Sequence, residues 1–324
     1  MKALVARELS GPAGLDYTDI GDPADVVDQN SVVIDVGAAG VSFPDLLLLR
    51  GEYQLRLEPP FIPGMEVAGV VLSAPYESEF VPGQRVTALS MLGGWAEQVV
   101  VSPGSIRPTP DDIDDAEAVA LLGNYQTMYF ALGRRGALRH GETVLVLGSA
   151  GGVGTAAVQI AKALGAKVIA MVHRPHAAEF VRSLGADVVL PLTDGWPDAV
   201  REHAGGAGVD MVVDPIGGEA FDDAIRVLAT EGRLLVIGFA AGGIPTVKVN
   251  RLLLRNVAVI GVGYGEYVNR KPGSQAVFEF GVAELVKAGL RPPPPVRFPL
   301  SKGAEALQSL ADGGVLGKVV LEPR

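Results

Sequence analysis

The run Val144-Leu145-Val146-Leu147-Gly148-Ser149-Ala150-Gly151-Gly152-Val153-Gly154 leaves the chain few ways to fold. Four apolar residues read as a strand, and a glycine-rich turn follows. Val153, Ala157, Ile160 and Leu164 then recur at the spacing of one helix face. The uncharged stretch 144–161 approaches membrane-spanning length, but its central glycines make it strand, loop and helix. The same rhythm continues downstream. Strands are expected at 143–147, 167–172, 187–190, 210–213, 233–237 and 257–262, with helices at 177–184, 197–204 and 221–229 between them. Strands linked by helices in this way are solved by a doubly wound parallel sheet of Rossmann type.

Before residue 124 the rhythm differs. Val32, Ile34 and Val36 alternate with Val33 and Asp35, and further short strands are expected at 66–72, 84–88 and 96–101, each bounded by glycine or proline. This composition belongs to a mainly antiparallel, barrel-like domain. The end of the chain carries mixed signals: a stiff Pro292–Pro295 run and a strand-like Gly317-Lys318-Val319-Val320-Leu321. The expected organisation is a dinucleotide-binding domain over 124–264, inserted into a domain built from 1–123 and 265–324.

Composition narrows the chemistry. The chain has 324 residues, enough for two cores, and 27 basic against 37 acidic side chains, a net charge of −10. That balance disfavours nucleic acid and anionic membrane as partners. Absence of cysteine excludes disulfides, thiol catalysis and sulfur-ligated zinc. Met1 to Ala6 is cut off by Arg7 and Glu8 before reaching the length of a signal-peptide core, so a soluble cytoplasmic protein is expected.

Within the glycine turn, Ser149 takes the first position of the dinucleotide fingerprint, Gly151 the second and Gly154 the third. Gly151 lets the backbone approach a pyrophosphate, Gly154 lets helix and strand pack closely, and the helix N-terminus supplies amide donors. Ala150, Gly152 and Val153 complete this loop. At the end of the second strand, where a carboxylate normally holds a ribose 2′-hydroxyl, the chain reads Ala170-Met171-Val172-His173-Arg174. Arg174 with His173 suits a 2′-phosphate and hence NADPH; the plain alternative is a solvated arginine before the helix that Pro175 begins.

These features, with Gly40-Val41-Ser42-Phe43-Pro44-Asp45, Pro63-Gly64-Met65-Glu66-Val67-Ala68-Gly69, Asn124-Tyr125-Gln126-Thr127, Asp214-Pro215-Ile216-Gly217-Gly218 and Gly317-Lys318-Val319-Val320, resemble the zinc-independent quinone oxidoreductase branch of the medium-chain dehydrogenase/reductase superfamily, the relatives of zeta-crystallin. The resemblance covers nearly the whole chain and implies a GroES-like first domain. Zinc-dependent members carry a histidine where Met65 stands and a cysteine near Ser42; here neither is a zinc ligand, and all four histidines lie beyond residue 139. No metal site is expected.

The resemblance implies that Tyr53 and Ser42 sit at the reacting centre as the catalytic candidates. It implies cofactor contacts from Asn124, Thr127, Ile216, Gly217, Phe239, Ala240 and Lys318. Read without the family, Asn124 is equally a helix N-cap and Phe239 a core residue at a strand end. Leu47 replaces a tyrosine of some members, so the pocket should be less polar, its size turning on Leu47, Tyr53, Met91 and Tyr264.

With a nicotinamide and no metal, the expected reaction is hydride transfer to a quinone, by orientation and desolvation rather than by a buried acid. Two alternatives stand beside it: reduction of activated carbon–carbon double bonds in enones, alkenals or enoyl thioesters, and an NADPH-binding protein with little turnover. The apolar 257–262 strand suits an edge that pairs with a second copy, so a homodimer is expected.

Overall fold

Valine-rich segments punctuated by glycine and proline make strands of the first part of the chain in the computed structural model, which describes residues 1–21 and 30–323. The chain divides into two units, Met1–Gly123 with Pro292–Arg324, and Asn124–Arg291.

In the first unit, β1 (Lys2–Ala6) and β2 (Leu15–Asp19) form an antiparallel pair. A long β3 (Val32–Val41) takes β4 (Glu66–Ser73) on one side, which leads to β5 (Arg85–Leu89); β6 (Gln98–Val101) also pairs with β3, and β7 (Ile106–Pro108) lies on β5. All these pairings are antiparallel. Val32, Ile34, Val36, Val67, Val86 and Ile106 point into a core closed by Trp95, whose indole N–H donates to the Gly40 carbonyl at 2.9 Å. Helix α1 (Phe43–Leu49) buries Leu46 and Leu49 in that core, and α2 (Asp115–Ala120) starts at an Asp114/Glu117 capping box.

The chain enters the second unit through α3 (Gly123–Tyr129), which runs into a π-helical stretch, Phe130–Arg135. Six parallel strands follow: β8 (Thr143–Val146), β9 (Lys167–Val172), β10 (Val188–Pro191), β11 (Val209–Asp214), β12 (Leu228–Val236) and β13 (Ala258–Gly261). Helices α4 (Gly152–Ala163), α5 (Ala177–Ser183), α6 (Trp196–His203), α7 (Ala220–Arg226) and α8 (Val249–Arg255) alternate with them. The order β10-β9-β8-β11-β12-β13 is that of a doubly wound sheet. Covered on both faces, the central strands read as unbroken apolar runs: Val144, Leu145, Val146, Val212 and Val213 are all buried. β12 begins five residues before the expected strand, because Leu228 pairs with Val209 before the register shifts at Met211 and Arg233.

The second unit does not stop at residue 264. Helices α9 (Tyr264–Arg270) and α10 (Ser274–Lys287) belong to it, held by an aromatic cluster that sequence periodicity does not show. The Phe130 ring lies 4.8 Å from that of Tyr267 and 5.2 Å from that of Phe278, and the Tyr264 hydroxyl donates to Gln126 at 2.7 Å. Tyr264 is thus a core residue. The boundary falls instead at the proline run, after which β14 (Val296–Pro299), α11 (Gly303–Ala311) and β15 (Val319–Glu322) return to the first unit. There β15 pairs antiparallel with β3, and β14 parallel with β15.

Candidate functional site

In the second unit the strand order reverses between β8 and β11, so the loops leaving the C-terminal ends of these strands diverge and open a crevice. The glycine turn sits there. The left-handed turn falls on Gly148, at φ 59°, one residue before the fingerprint position assigned to Ser149. Ser149 is buried and turned inward: its hydroxyl donates to Val146 O at 2.7 Å and its amide to Met171 O at 3.2 Å, tying the loop to the end of β9. A side chain at Gly154 would run into Gly148 O and the Ser149 Cα, which makes this glycine the point of close strand–helix packing. At Gly151, by contrast, an added Cβ meets nothing nearer than Gly148 O at 3.7 Å.

Gly151 is also the N-cap of α4 and has no side chain with which to cap that helix. The first-turn amides at Gly152, Val153 and Gly154 therefore form a donor cluster at the positive end of the helix dipole, beside an exposed glycine. A dinucleotide's pyrophosphate fits this cradle. Ala150 lies buried under it. Asn124, at the start of α3, packs so closely on Gly152 that a side chain there would strike its amide, and Thr127 lies one helical turn further on the same face.

Ile216, Gly217, Phe239 and Ala240 converge beyond β11 and β12. Asp214, at the end of β11, accepts the Ile216 and Gly217 amides through Oδ1 at 2.9 and 2.8 Å and so shapes their turn. Burial pushes its carboxyl up against the opposing effect of those two amides. The Phe239 ring closes on Gly217, where a Cβ would approach it to 3.0 Å, and the Ala240 amide donates to Pro215 O at 3.1 Å. The Ile216 side chain stands 3.8 Å from where a Gly148 Cβ would be, which makes this turn and the glycine loop neighbours. At the end of β9, His173 is exposed and Arg174 half-buried.

In the first unit α1 orders the other candidates. Ser42 is its N-cap; Tyr53 follows its C-terminal end, where Glu52 N donates to Leu47 O at 2.9 Å. Tyr53 is half-buried; burial, then the charge of Asp45, pushes its phenol above the ordinary value against a hydrogen bond with Gln54.

Behind Ser42 lies a group that the sequence reading missed. Asp45 is 1% exposed, and its Oδ2 accepts the Ser42 amide at 2.8 Å and the Ser42 hydroxyl at 2.5 Å. Its Oδ1 is buried without a partner among the described residues. Beside it Glu66 pairs with Lys318 and accepts the Gly123 amide at 2.7 Å. The expectation of a site without a buried acid is therefore corrected. Asp45 lies on the face of α1 that carries Leu46 and Leu49, a placement its spacing allowed but its charge argued against. Lys318, expected at the cofactor, is buried in the first unit with its ammonium on Glu66.

Comparison with known proteins agrees with this geometry. Residues 28–111 match the alcohol dehydrogenase GroES-like domain and 152–279 the family described as zinc-binding dehydrogenase. A crystal structure of a probable oxidoreductase from Mycobacterium abscessus is 60% identical, with a TM-score of 0.92 over 100% of this chain and 99% of that one. The quinone oxidoreductase from Thermus thermophilus, solved also with NADPH, is 36% identical with a TM-score of 0.86 over 99% and 100%. Quinone oxidoreductase-like protein 2 from Bos taurus is 38% identical over 74% of this chain and 70% of its own length. The chain is a medium-chain dehydrogenase/reductase, a two-domain oxidoreductase with a GroES-like and a Rossmann domain. Within that superfamily it belongs to the zinc-independent quinone oxidoreductase branch.

The residues do not fit the zinc ion named in the family description. Among the described residues no group of three histidine, cysteine or acidic side chains is placed to hold a metal. Met65 offers a thioether at the key position, and His140, His173, His176 and His203 are all exposed and lie in the second unit. Among the described residues, too, no helix is long and apolar enough to cross a membrane.

Proposed function

We propose that the protein is an NADPH-dependent, zinc-independent quinone oxidoreductase of the cytoplasm, working as a homodimer. The observation that carries this reading is the uncapped N-terminus of α4 beneath the glycine turn, at the sheet's switch point, in a chain of this family. Gly151, Gly152, Val153 and Gly154 bind the pyrophosphate through backbone amides, while Ser149 and Ala150 hold the loop from beneath. Arg174, with His173, takes the 2′-phosphate. Asn124 and Thr127 line the loop from α3, and Ile216, Gly217, Phe239 and Ala240 orient the nicotinamide end. When bound, NADPH supplies a hydride from C4 of its nicotinamide ring.

Tyr53 and Ser42 hydrogen-bond the acceptor oxygen on which charge develops. With its phenol pushed above the ordinary value, Tyr53 remains a donor at neutral pH. Lys318, the remaining candidate for a cofactor contact, has its ammonium on Glu66.

Support for the dimer comes from one flank of the second unit. β13 is an edge strand, and α8 has no buried residue, with Leu253 and Leu254 75% and 77% exposed. A second copy laid against β13 extends the sheet and covers these side chains.

The reading is tested by following NADPH oxidation with 1,2-naphthoquinone, 9,10-phenanthrenequinone and a panel of enones and alkenals, and identifying each product by mass spectrometry. Hydroquinone formation is expected. Saturated carbonyl products alone would make the enzyme a reductase of carbon–carbon double bonds, and tight NADPH binding without turnover would make it a binding protein.

A further inference from the structure

We infer that Asp45 stores a proton and that Ser42 relays it to the oxygen of the reduced acceptor. This rests on the function proposed above for where the proton goes, but the storage itself is a property of the first unit alone.

The charges buried around Ser42 do not balance. Three ionisable side chains are buried together: Asp45, Glu66 and Lys318. Two are carboxyls and one is an ammonium. Lys318 Nζ is on Glu66 Oε2, and the Gly123 amide occupies Glu66 Oε1 at 2.7 Å. That pair is satisfied. Among the described residues Asp45 has no cation of its own; its donors there are the Ser42 amide and hydroxyl, both on Oδ2, and its buried Oδ1 has no partner. A lone carboxylate in such a place is expensive, whereas a neutral acid with one uncommitted oxygen is far less so. The surplus carboxyl is where a proton settles. Burial is the main cause; the Ser42 hydrogen bond and Lys318 oppose it, Glu66 reinforces it, and the carboxyl is pushed up to about 6. The nearby phenol of Tyr53 feels the Asp45 charge in turn.

Ser42 connects this acid to the outside, since it is half-buried whereas Asp45 is fully enclosed. A hydroxyl has one proton to give. With Asp45 ionised, that proton is spent on Oδ2 and Ser42 offers only lone pairs outward. With Asp45 protonated, the Oδ2 proton is donated to Ser42 Oγ, and the serine proton is free to point away from it. The state of Asp45 thus decides whether Ser42 donates or accepts.

The step balances. Hydride delivery oxidises the nicotinamide and reduces the acceptor, leaving an electron pair on an acceptor oxygen. A new O–H bond forms there as the Ser42 O–H bond breaks; the Asp45 O–H bond breaks as Ser42 regains a proton. Asp45 is left as a carboxylate, less stable in its enclosed place, and recovers a proton from water before the next turnover. Hydride plus this one proton converts a quinone to its hydroquinone. Asp45 acts only through Ser42, which it positions and recharges.

The test separates storage from relay. In cofactor-free protein labelled at the aspartate carboxyl carbons, NMR titration should show one resonance, absent from Asp45→Asn, with a midpoint near 6. If every aspartate carboxyl titrates in the ordinary range, the storage is disproved. For the relay, kcat with 9,10-phenanthrenequinone is measured against pH. The wild-type value should fall as Asp45 ionises. Asp45→Asn should be roughly 10-fold or more slower at the acid end and flat through that range, with NADPH affinity unchanged. Ser42→Ala should match it, Ser42→Thr should restore the pH dependence, and the double variant should lose no more than either single one. A fall in kcat with rising pH near 6 that persists in Asp45→Asn or Ser42→Ala overturns the relay. An enzyme that turns over none of the quinones or enones defeats the function and the relay together, while the carboxyl titration still decides whether Asp45 holds the proton.

Discussion

Glu66 and Lys318 stand 252 positions apart in the chain and meet as a buried ion pair, their side chains 6% and 5% exposed. The pair joins the start of β4 to the residue before β15, at a point where β3 has no side chain. A Cβ on Gly40 would strike both the Glu66 carboxylate and the Lys318 stem. Breaking such a pair from one side leaves a buried charge uncompensated, which costs more than removing both partners.

Lys318→Met is accordingly expected to lower unfolding stability by about 3–5 kcal/mol, and Glu66→Gln/Lys318→Met by much less. Urea titrations of the two variants check this; equal losses would mean that the unpaired carboxylate is not what is costly.

The two loop glycines should separate folding from binding. Gly154→Ala forces a Cβ into Gly148 O and is expected to lower the melting temperature, whereas Gly151→Ala has open space and an ordinary φ of −81°. The second variant should melt like wild type yet bind NADPH roughly 10-fold more weakly, because its methyl group occupies the approach of the pyrophosphate. Calorimetry and a fluorescence titration of NADPH distinguish the cases.

Arg174→Ala should reduce NADPH affinity about 10-fold or more and leave NADH affinity nearly unchanged, since a charge-assisted contact to a 2′-phosphate is available to only one of them. An unchanged ratio of the two dissociation constants would remove Arg174 from the cofactor site.

Asp45 makes a prediction about stability as well as rate. Its carboxyl is raised from 3.8 to about 6, so holding it ionised in the folded state costs about 3 kcal/mol. The sign follows from the direction: the contribution is fully present below the unfolded value and is lost as pH rises through the folded one. Asp45→Asn should therefore gain on wild type as pH rises from about 4 to about 6 and keep that advantage above it, measured by urea unfolding at each pH.

At the β13 flank, Leu254→Glu should convert a dimer into a monomer in sedimentation equilibrium without loss of melting cooperativity, since the side chain is 77% exposed in the single chain. A wild-type protein that sediments as a monomer would rule out the proposed assembly.

By itself the sequence determined the local architecture of the second unit, because a strand, a glycine turn and an amphipathic helix are each set by neighbouring residues. The parallel strands fall where the apolar runs stand, and Gly154 does what its spacing requires. Even the departure at Gly148 is a shift of one residue within the same turn. Tertiary structure alone decided the rest. The Phe130, Tyr267 and Phe278 rings meet across more than a hundred residues and carry the second unit on to Arg291. Asp45, Glu66 and Lys318 likewise come from three separated segments. A pattern of apolar and charged positions tells which residues prefer water. It does not tell which charged residue the fold will enclose, since that depends on whether a distant partner arrives to compensate it: Lys318 arrives at Glu66, and among the described residues no cation pairs with Asp45.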